Sequence, residues 1–259
     1  LPRFILDRLR PLYHYGLAWV GSVIYRHPSR NIVVIAVTGT KGKSSVTELI
    51  THILETDGKR VASLSTIQFK VGDTVRRNLY KMTMPGRFFT QKFLREAVDA
   101  GCTHAIIEMT SEGAKQYRHK FIDLDALVFT NLTPEHIESH GSFEKYKACK
   151  LELARAVSES PKRPRIIVAN TDDEHGADFL AFPVEHALPY GLKDLSLYSL
   201  QREGLSIVLE GKTIRVPLVG LFNVYNALAA LTITRTLGVS LATIDAALHT
   251  LPPIKGRVN

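Results

Sequence analysis

The chain is poor in the residues that mark secreted or metal-built scaffolds. Its 259 residues include two cysteines, Cys102 and Cys149, with no metal-ligand spacing and no disulfide framework. Reduced thiols, and with them a cytoplasmic setting, are expected. Signal-peptide patterns, internal repeats and low-complexity tracts are absent. Long apolar runs are missing too. The best candidate, residues 11–25 (PLYHYGLAWVGSVIY), would form a helix of about 22 Å against a hydrocarbon core of roughly 30 Å, which argues against a membrane span. Acidic residues are in deficit, 25 against 33 Lys and Arg, for a net charge of +8. Half of that excess falls in residues 1–30, where Arg3, Arg8, Arg10, Arg26 and Arg30 face only Asp7. The remainder is too dilute to call for nucleic acid, although a phosphate site would use part of it. What is left, 45% hydrophobic and 22% charged, is ordinary globular composition.

Residues 1–30 read as an N-terminal helical segment. Two readings of it stay open: a helix packed on the main domain, or an interfacial helix making peripheral membrane contact. From residue 31 to 259 apolar and helix-period segments alternate. Runs at 61–67, 104–109, 126–131 and 165–169 read as buried strands, with helices at 85–100, 113–120 and 142–160. The expected class is α/β, a mainly parallel P-loop sheet flanked by helices, with its ligand site at the carboxyl ends of the strands. Residues 195–219 change to short alternating segments punctuated by Gly204 and Gly211, which predicts a small antiparallel β subregion. Helices at 223–237 and 241–251 follow, the second with Ser240 as its cap.

The densest signal is NIVVIAVTGTKGKSS, residues 31–45. Six apolar residues run into Gly39, Thr40, Lys41, Gly42, Lys43, Ser44 and Ser45, and a helix-period segment follows. Glycines let backbone N–H groups close on phosphate oxygens, and the helix N-terminus adds its positive dipole end. Lys43 would neutralise terminal phosphates, and the Ser44 hydroxyl stands where magnesium needs a ligand. Only Thr40 and Lys41 separate Gly39 from the Gly42-Lys43 pair, so the loop is shorter than the general Walker A pattern.

Further polar groups follow apolar runs. Glu108 ends a buried strand, which is costly for a carboxylate unless it is paired or binds a metal. His136 lies in the turn TNLTPEH, as a metal ligand, a phosphate contact or a structural residue. Lys150 interrupts a helical stripe of Phe143, Tyr146, Leu153, Ala154 and Val157. It either snorkels to water or is aimed into the site, where burial would lower its pKa and leave the amine nucleophilic. Asp172 and Asp173 after the strand at 165–169 would cap the next helix or hold a nucleotide.

Taken in order, TGTKGKSS, IEMTSEG, TNLTPEHIESHGSFEKYKACK, NTDDEHG and GLFNVYNALAA resemble the central domain of the Mur ligases, most closely the MurE type. The resemblance covers residues 31 to about 257 and implies an ATP-dependent amide ligase of peptidoglycan precursor synthesis. In that chemistry ATP phosphorylates the carboxylate of a muramyl dipeptide and an amino-acid amine attacks the acyl phosphate. It also implies roles. Gly39 to Ser44 would cradle phosphates, with Lys43 on the γ-phosphate and Ser44 and Glu108 on one Mg2+. His136 would serve a second ion, and Lys150 falls at the family's carbamylated lysine. Asn223, Asn226 and Arg257 would contact ATP, and Thr83, Thr110, Ser111 and Arg118 the muramyl-peptide acceptor. Lys41 stands where the family usually has Asn, and Glu112 where the MurE type often has His.

The resemblance further implies that residues 31–259 are the central ATP-binding domain, without the C-terminal domain that recognises the amino acid. A monomer with no nucleic-acid partner is expected. Two other functions remain in view: a ligase with another carboxylate acceptor, of folylpolyglutamate or polyglutamate type, and a non-catalytic nucleotide-binding module.

Overall fold

Six strands run parallel, five of them apolar and buried, and their carboxyl ends share one edge. The structure is a computed structural model that describes residues 3–80, 82–135 and 137–254, with side chains from Arg10 onward except that of Ile137. His136 and Arg257 lie outside the described residues. The strands are β1 (Val33–Thr38), β2 (Val61–Leu64), β3 (Gln68–Val71), β4 (Thr74–Arg77), β5 (His104–Glu108), β6 (Ala126–Phe129), β7 (Ile166–Asn170), β8 (His186–Tyr190), β9 (Leu197–Gln201), β10 (Gly204–Leu209) and β11 (Lys212–Val216). The helices are α1 (Arg3–Ile24), α2 (Lys43–Thr56), α3 (Arg87–Asp99), α4 (Ser111–Lys115), α5 (Ile137–His140), α6 (Phe143–Ser158), α7 (Gly176–Leu180), α8 (Leu221–Thr236) and α9 (Leu241–His249).

The large sheet has the order β4-β3-β2-β5-β1-β6-β7-β8. Pairing is parallel from β2 to β8, and β3 and β4 fold back antiparallel at one edge. A separate antiparallel sheet holds β9, β10 and β11. This is the expected α/β class with its antiparallel subregion.

Side chains alternate across the central strands, so each face gains its own core. Ile35, Val37, Ile106 and Val168 pack with Val46, Leu49, Ile50 and Ile53 of α2 and with α8 and α9. Val34, Ala36, Ile107, Leu127 and Ala169 face the other way, against Phe93 and Leu94 of α3 and Leu153 and Val157 of α6. Serine caps fix two helix starts: Lys145 N donates to Ser142 Oγ at 3.2 Å and Thr243 N to Ser240 Oγ at 3.0 Å. Helix α1 packs on α3 through its inner face, where Ala18 and Ser22 are buried.

Three boundaries differ from the sequence reading. The run at 61–67 ends as a strand at Leu64, because Ser65 Oγ accepts the Ile67 and Gln68 N–H groups and turns the chain into β3. The helix expected at 113–120 is Ser111–Lys115: Thr110 caps it early, and Tyr117 at φ 56 stops it. Strand β8 had no apolar signal, since HALPY is an edge strand that is mostly exposed.

His119 is 1% exposed, and among the described residues neither ring nitrogen has a hydrogen-bond partner. Burial, with Lys120 adding to it, pulls its pKa from 6.5 down to about 3. The folded state therefore refuses a proton that the unfolded chain takes up below its ordinary pKa, so stability falls as pH drops through 6.5. Linkage puts that loss at about 2 kcal/mol between pH 7 and pH 5. His119→Leu is expected to flatten this part of the stability–pH curve in urea unfolding; an unchanged slope would contradict it.

Candidate active site

The phosphate loop leaves β1 at Thr38 and enters α2 at Lys43. Two glycines make its path possible. At Gly39, φ 148, an added Cβ would lie 1.9 Å from Thr130 Oγ1; at Gly42, φ 85, it would lie 2.4 Å from Asn226 Oδ1. A side chain at either position would be strained at positive φ and would force its neighbour to shift. The turn after β6 grips the loop from outside. Lys41 N donates to Asn131 Oδ1 at 2.9 Å, Thr130 Oγ1 to Lys41 O at 2.7 Å, and Thr40 N to Asn131 O at 2.8 Å. Lys41 itself contributes backbone here, while its exposed ammonium lies 3.7 Å from Glu135.

Two lysines converge on one backbone oxygen. Lys43 Nζ donates to Gly39 O at 3.0 Å and Thr40 O at 2.9 Å, and Lys150 Nζ donates to Gly39 O at 2.8 Å. Lys150 is 2% exposed, so the snorkelling alternative is overturned: its ammonium points into the loop and not past the core. It also lies 5.0 Å from the Tyr146 ring centroid, and the Tyr146 hydroxyl is 3.0 Å from Thr40 Oγ1. Burial, then repulsion from Lys43, holds the Lys150 pKa well below its ordinary value. Helical position places it there: Tyr146, Lys150, Leu153 and Val157 share the face of α6 that meets the sheet.

Glu108 ends β5 beside Val37 of β1 and is fully buried. Its carboxylate accepts from Thr66 N at 3.2 Å and Thr66 Oγ1 at 2.9 Å, and Ser44 donates to it as well. Burial still pushes its pKa up, against the pull of Ser44 and Lys43. Thr66 Oγ1 lies 2.9 Å from Thr83 Oγ1, which links Glu108 to Thr83, one of the residues expected to meet the acceptor. Sequence reasoning missed Thr66, which sits in a turn with no motif. The oxygen donors Ser44 and Glu108 suit a hard divalent cation such as Mg2+.

On the other side of the loop a cavity of about 510 Å³ opens between Lys41, Gly42, Ser45, Asn170, Phe222, Tyr225 and Asn226. Asn226 Nδ2 donates to Asn223 Oδ1 at 2.9 Å, and Asn223 Nδ2 to Val219 O at 2.8 Å. Asn226 thus lines the cavity while Asn223 orients it. Asp172 accepts from Leu192 N and Tyr225 Oη, and Asp173 from Leu132 N and His175 N. The acidic pair ties the cavity walls together and, in place of the expected helix cap, leaves α7 without a side-chain cap.

The expected acceptor residues form a third group. Thr110 accepts Gly113 N at 3.1 Å, Ser111 is buried at the start of α4, and Arg118 donates to Met84 O and to Gln116 Oε1 at 2.8 Å. Glu112 accepts from Gln116 Nε2 at 2.6 Å.

Because an added Cβ at Gly42 would lie 2.4 Å from Asn226 Oδ1 at positive φ, Gly42→Ala is expected to cost more than about 1 kcal/mol of stability. It should also weaken a non-hydrolysable ATP analogue by about tenfold or more in titration calorimetry. Unchanged affinity would contradict the cradle.

A family model described as the Mur ligase middle domain matches residues 37–234. The chain is 35% identical over 267 residues to a UDP-N-acetylmuramyl-tripeptide synthetase of Roseiflexus sp., covering 96% of this chain and 52% of that protein. It is 31% identical over 253 residues to a UDP-N-acetylmuramoyl-L-alanyl-D-glutamate–2,6-diaminopimelate ligase of Halalkalibacterium halodurans, covering 93% and 51%. A solved structure of a ligase with that same description superposes with a TM-score of 0.75 at 26% identity, over 87% of this chain and 47% of the other. The chain spans about half the length of the curated relatives it matches. With the matched residues running from the phosphate loop through α8, this chain belongs to the Mur ligase family.

Proposed function

We propose that this chain is the ATP-binding centre of a MurE-type ligase, joining an amino acid to UDP-MurNAc-L-Ala-D-Glu in the cytoplasm. The observation that carries the reading is the meeting of Lys43 and Lys150 at Gly39 O, beside the Ser44–Glu108 pair. Nucleotide-binding folds commonly place one lysine at such a loop; a second, buried one calls for its own chemistry.

In this reading the loop N–H groups and Lys43 bind the β- and γ-phosphates, and the adenine enters the cavity beside Asn226. Ser44 and Glu108 would hold Mg2+, which when bound would supply positive charge to offset that of the phosphates. Lys150, whose protonation burial disfavours, would add carbon dioxide through its neutral amine and release a proton, which converts the amine into a carboxylate-like oxygen donor. The family resemblance assigns His136 to a second ion and Arg257 to the nucleotide. Thr83, Thr110, Ser111 and Arg118 position the acceptor so that its carboxylate meets the γ-phosphate in line. The acyl phosphate is then attacked by the amino-acid amine, and phosphate leaves. Residues 31–259 act as the central domain, with residues 1–30 a separate helical segment.

The test is phosphate release by the full-length protein with ATP, Mg2+, UDP-MurNAc-dipeptide and candidate amino acids. Turnover is expected only with both acceptor and amino acid, and Lys150→Ala should lower it by about a hundredfold or more. ATP binding without turnover on that acceptor would overturn the muramyl-peptide assignment.

A further inference from the structure

Helix α1 presents a surface that the ligase chemistry does not use. Its inner side, with Ala18 and Ser22 buried and His14 and Leu17 half-buried, rests on the domain. Its outer side is apolar from Leu12 to Ile24. Leu12 is 70% exposed, Tyr13 62%, Trp19 53% and Ile24 58%, with Val20 and Val23 also open to solvent. At 100° per residue these six positions fall on one sector of the helix, about 18 Å long. No charged residue interrupts the chain between Leu12 and Tyr25. Contiguous apolar surface of this kind marks a contact site.

Charge selects the occupant. Exposed Arg10 and Arg26 bracket the stripe, and residues 1–30 carry five arginines against one aspartate. Pairing with a second copy through this face would bring arginine to arginine, whether the two helices ran parallel or antiparallel. An anionic lipid surface offers the opposite charge at both ends and apolar depth between them. Trp and Tyr suit that boundary, with an apolar ring body and a polar tip. No helix among the described residues is long and apolar enough to cross a membrane, so α1 would lie in the interface plane.

We propose that α1 seats this protein peripherally on an anionic membrane, its Leu12–Trp19–Val23 stripe inserted and Arg10 and Arg26 at the headgroups. The same helix meets the segment around Arg87 and Arg118: Gly21 lies against Phe88, and the Tyr15 ring is 6.1 Å from that of Tyr117 and 5.0 Å from that of Phe121. Membrane seating would therefore hold the acceptor side of the site near the lipid surface.

Trp19 is the only tryptophan in the sequence given, so its fluorescence reports this face directly. The experiment adds vesicles of phosphatidylcholine alone, or with 30% phosphatidylglycerol, to the intact protein, carrying further tryptophans, if any, as phenylalanine. A blue shift with anionic vesicles, quenched by brominated acyl chains, is expected. Leu12→Glu with Val23→Glu should abolish it, and Arg10→Gln with Arg26→Gln should weaken binding about 25-fold, about fivefold per charge. ATP-analogue binding serves as the check that each variant is folded. No response to either vesicle, or an equal response to both, would overturn the proposal. So would emission already blue without lipid, whether from a second copy, with mass doubling on concentration, or from the rest of the chain covering the helix.

Discussion

Two lysine amino groups share the Gly39 carbonyl, and most of the site follows from how the chain arranges that meeting. Like charges repel, and burial penalises each of them, so the arrangement persists only where the surroundings prefer one lysine neutral. Lys150 is the one whose protonation is disfavoured, by its burial on α6 first and by Lys43 second. The loop between them cannot widen, because Gly39 sits against Thr130 and Gly42 against Asn226. Strand β6 and helix α8 therefore set the shape of a loop that neither contributes residues to.

The sheet supplies the registration. Parallel pairing aligns Val37 with Glu108 and Thr38 with Phe129, so the phosphate loop, the buried glutamate and the Thr130–Asn131 turn leave from one edge. The two cores beneath make that edge stiff: α2 and α8 press from one face, and α3 and α6 from the other. Stiffness matters because each contact in the site is a single hydrogen bond, worth about 1 kcal/mol, and would not hold the geometry alone. A second consequence concerns Glu108. Its bonds from Thr66 and Ser44 place a carboxylate, otherwise expensive to bury, between the phosphate loop and Thr83.

Much of this was legible in the amino-acid order. Buried parallel strands read as unbroken apolar runs, which exposed β1, β5, β6 and β7, and the loop was visible from its glycines and Lys43. Lys150 stood out as a charge on an apolar helical stripe. The rest failed for physical reasons. Thr66 is one threonine in a turn, important only because β2 stops early and reverses. Strand β8 is an edge with little apolar content, and the end of α4 depends on Tyr117 at positive φ. Asp172 and Asp173 were read as capping the next helix or holding a nucleotide, but besides the local bond from His175 N they accept from residues 20 and 41 positions away, which no local pattern encodes.

The most direct measurement is a crystal structure with Mg2+ and a non-hydrolysable ATP analogue. The account predicts adenine in the cavity lined by Asn170, Tyr225 and Asn226, and β- and γ-phosphates at the loop with Lys43 drawn from Gly39 O onto them. Lys150 would face the metal side with added density at Nζ. A nucleotide bound elsewhere, or both lysines still on Gly39 O with phosphates in place, would contradict it.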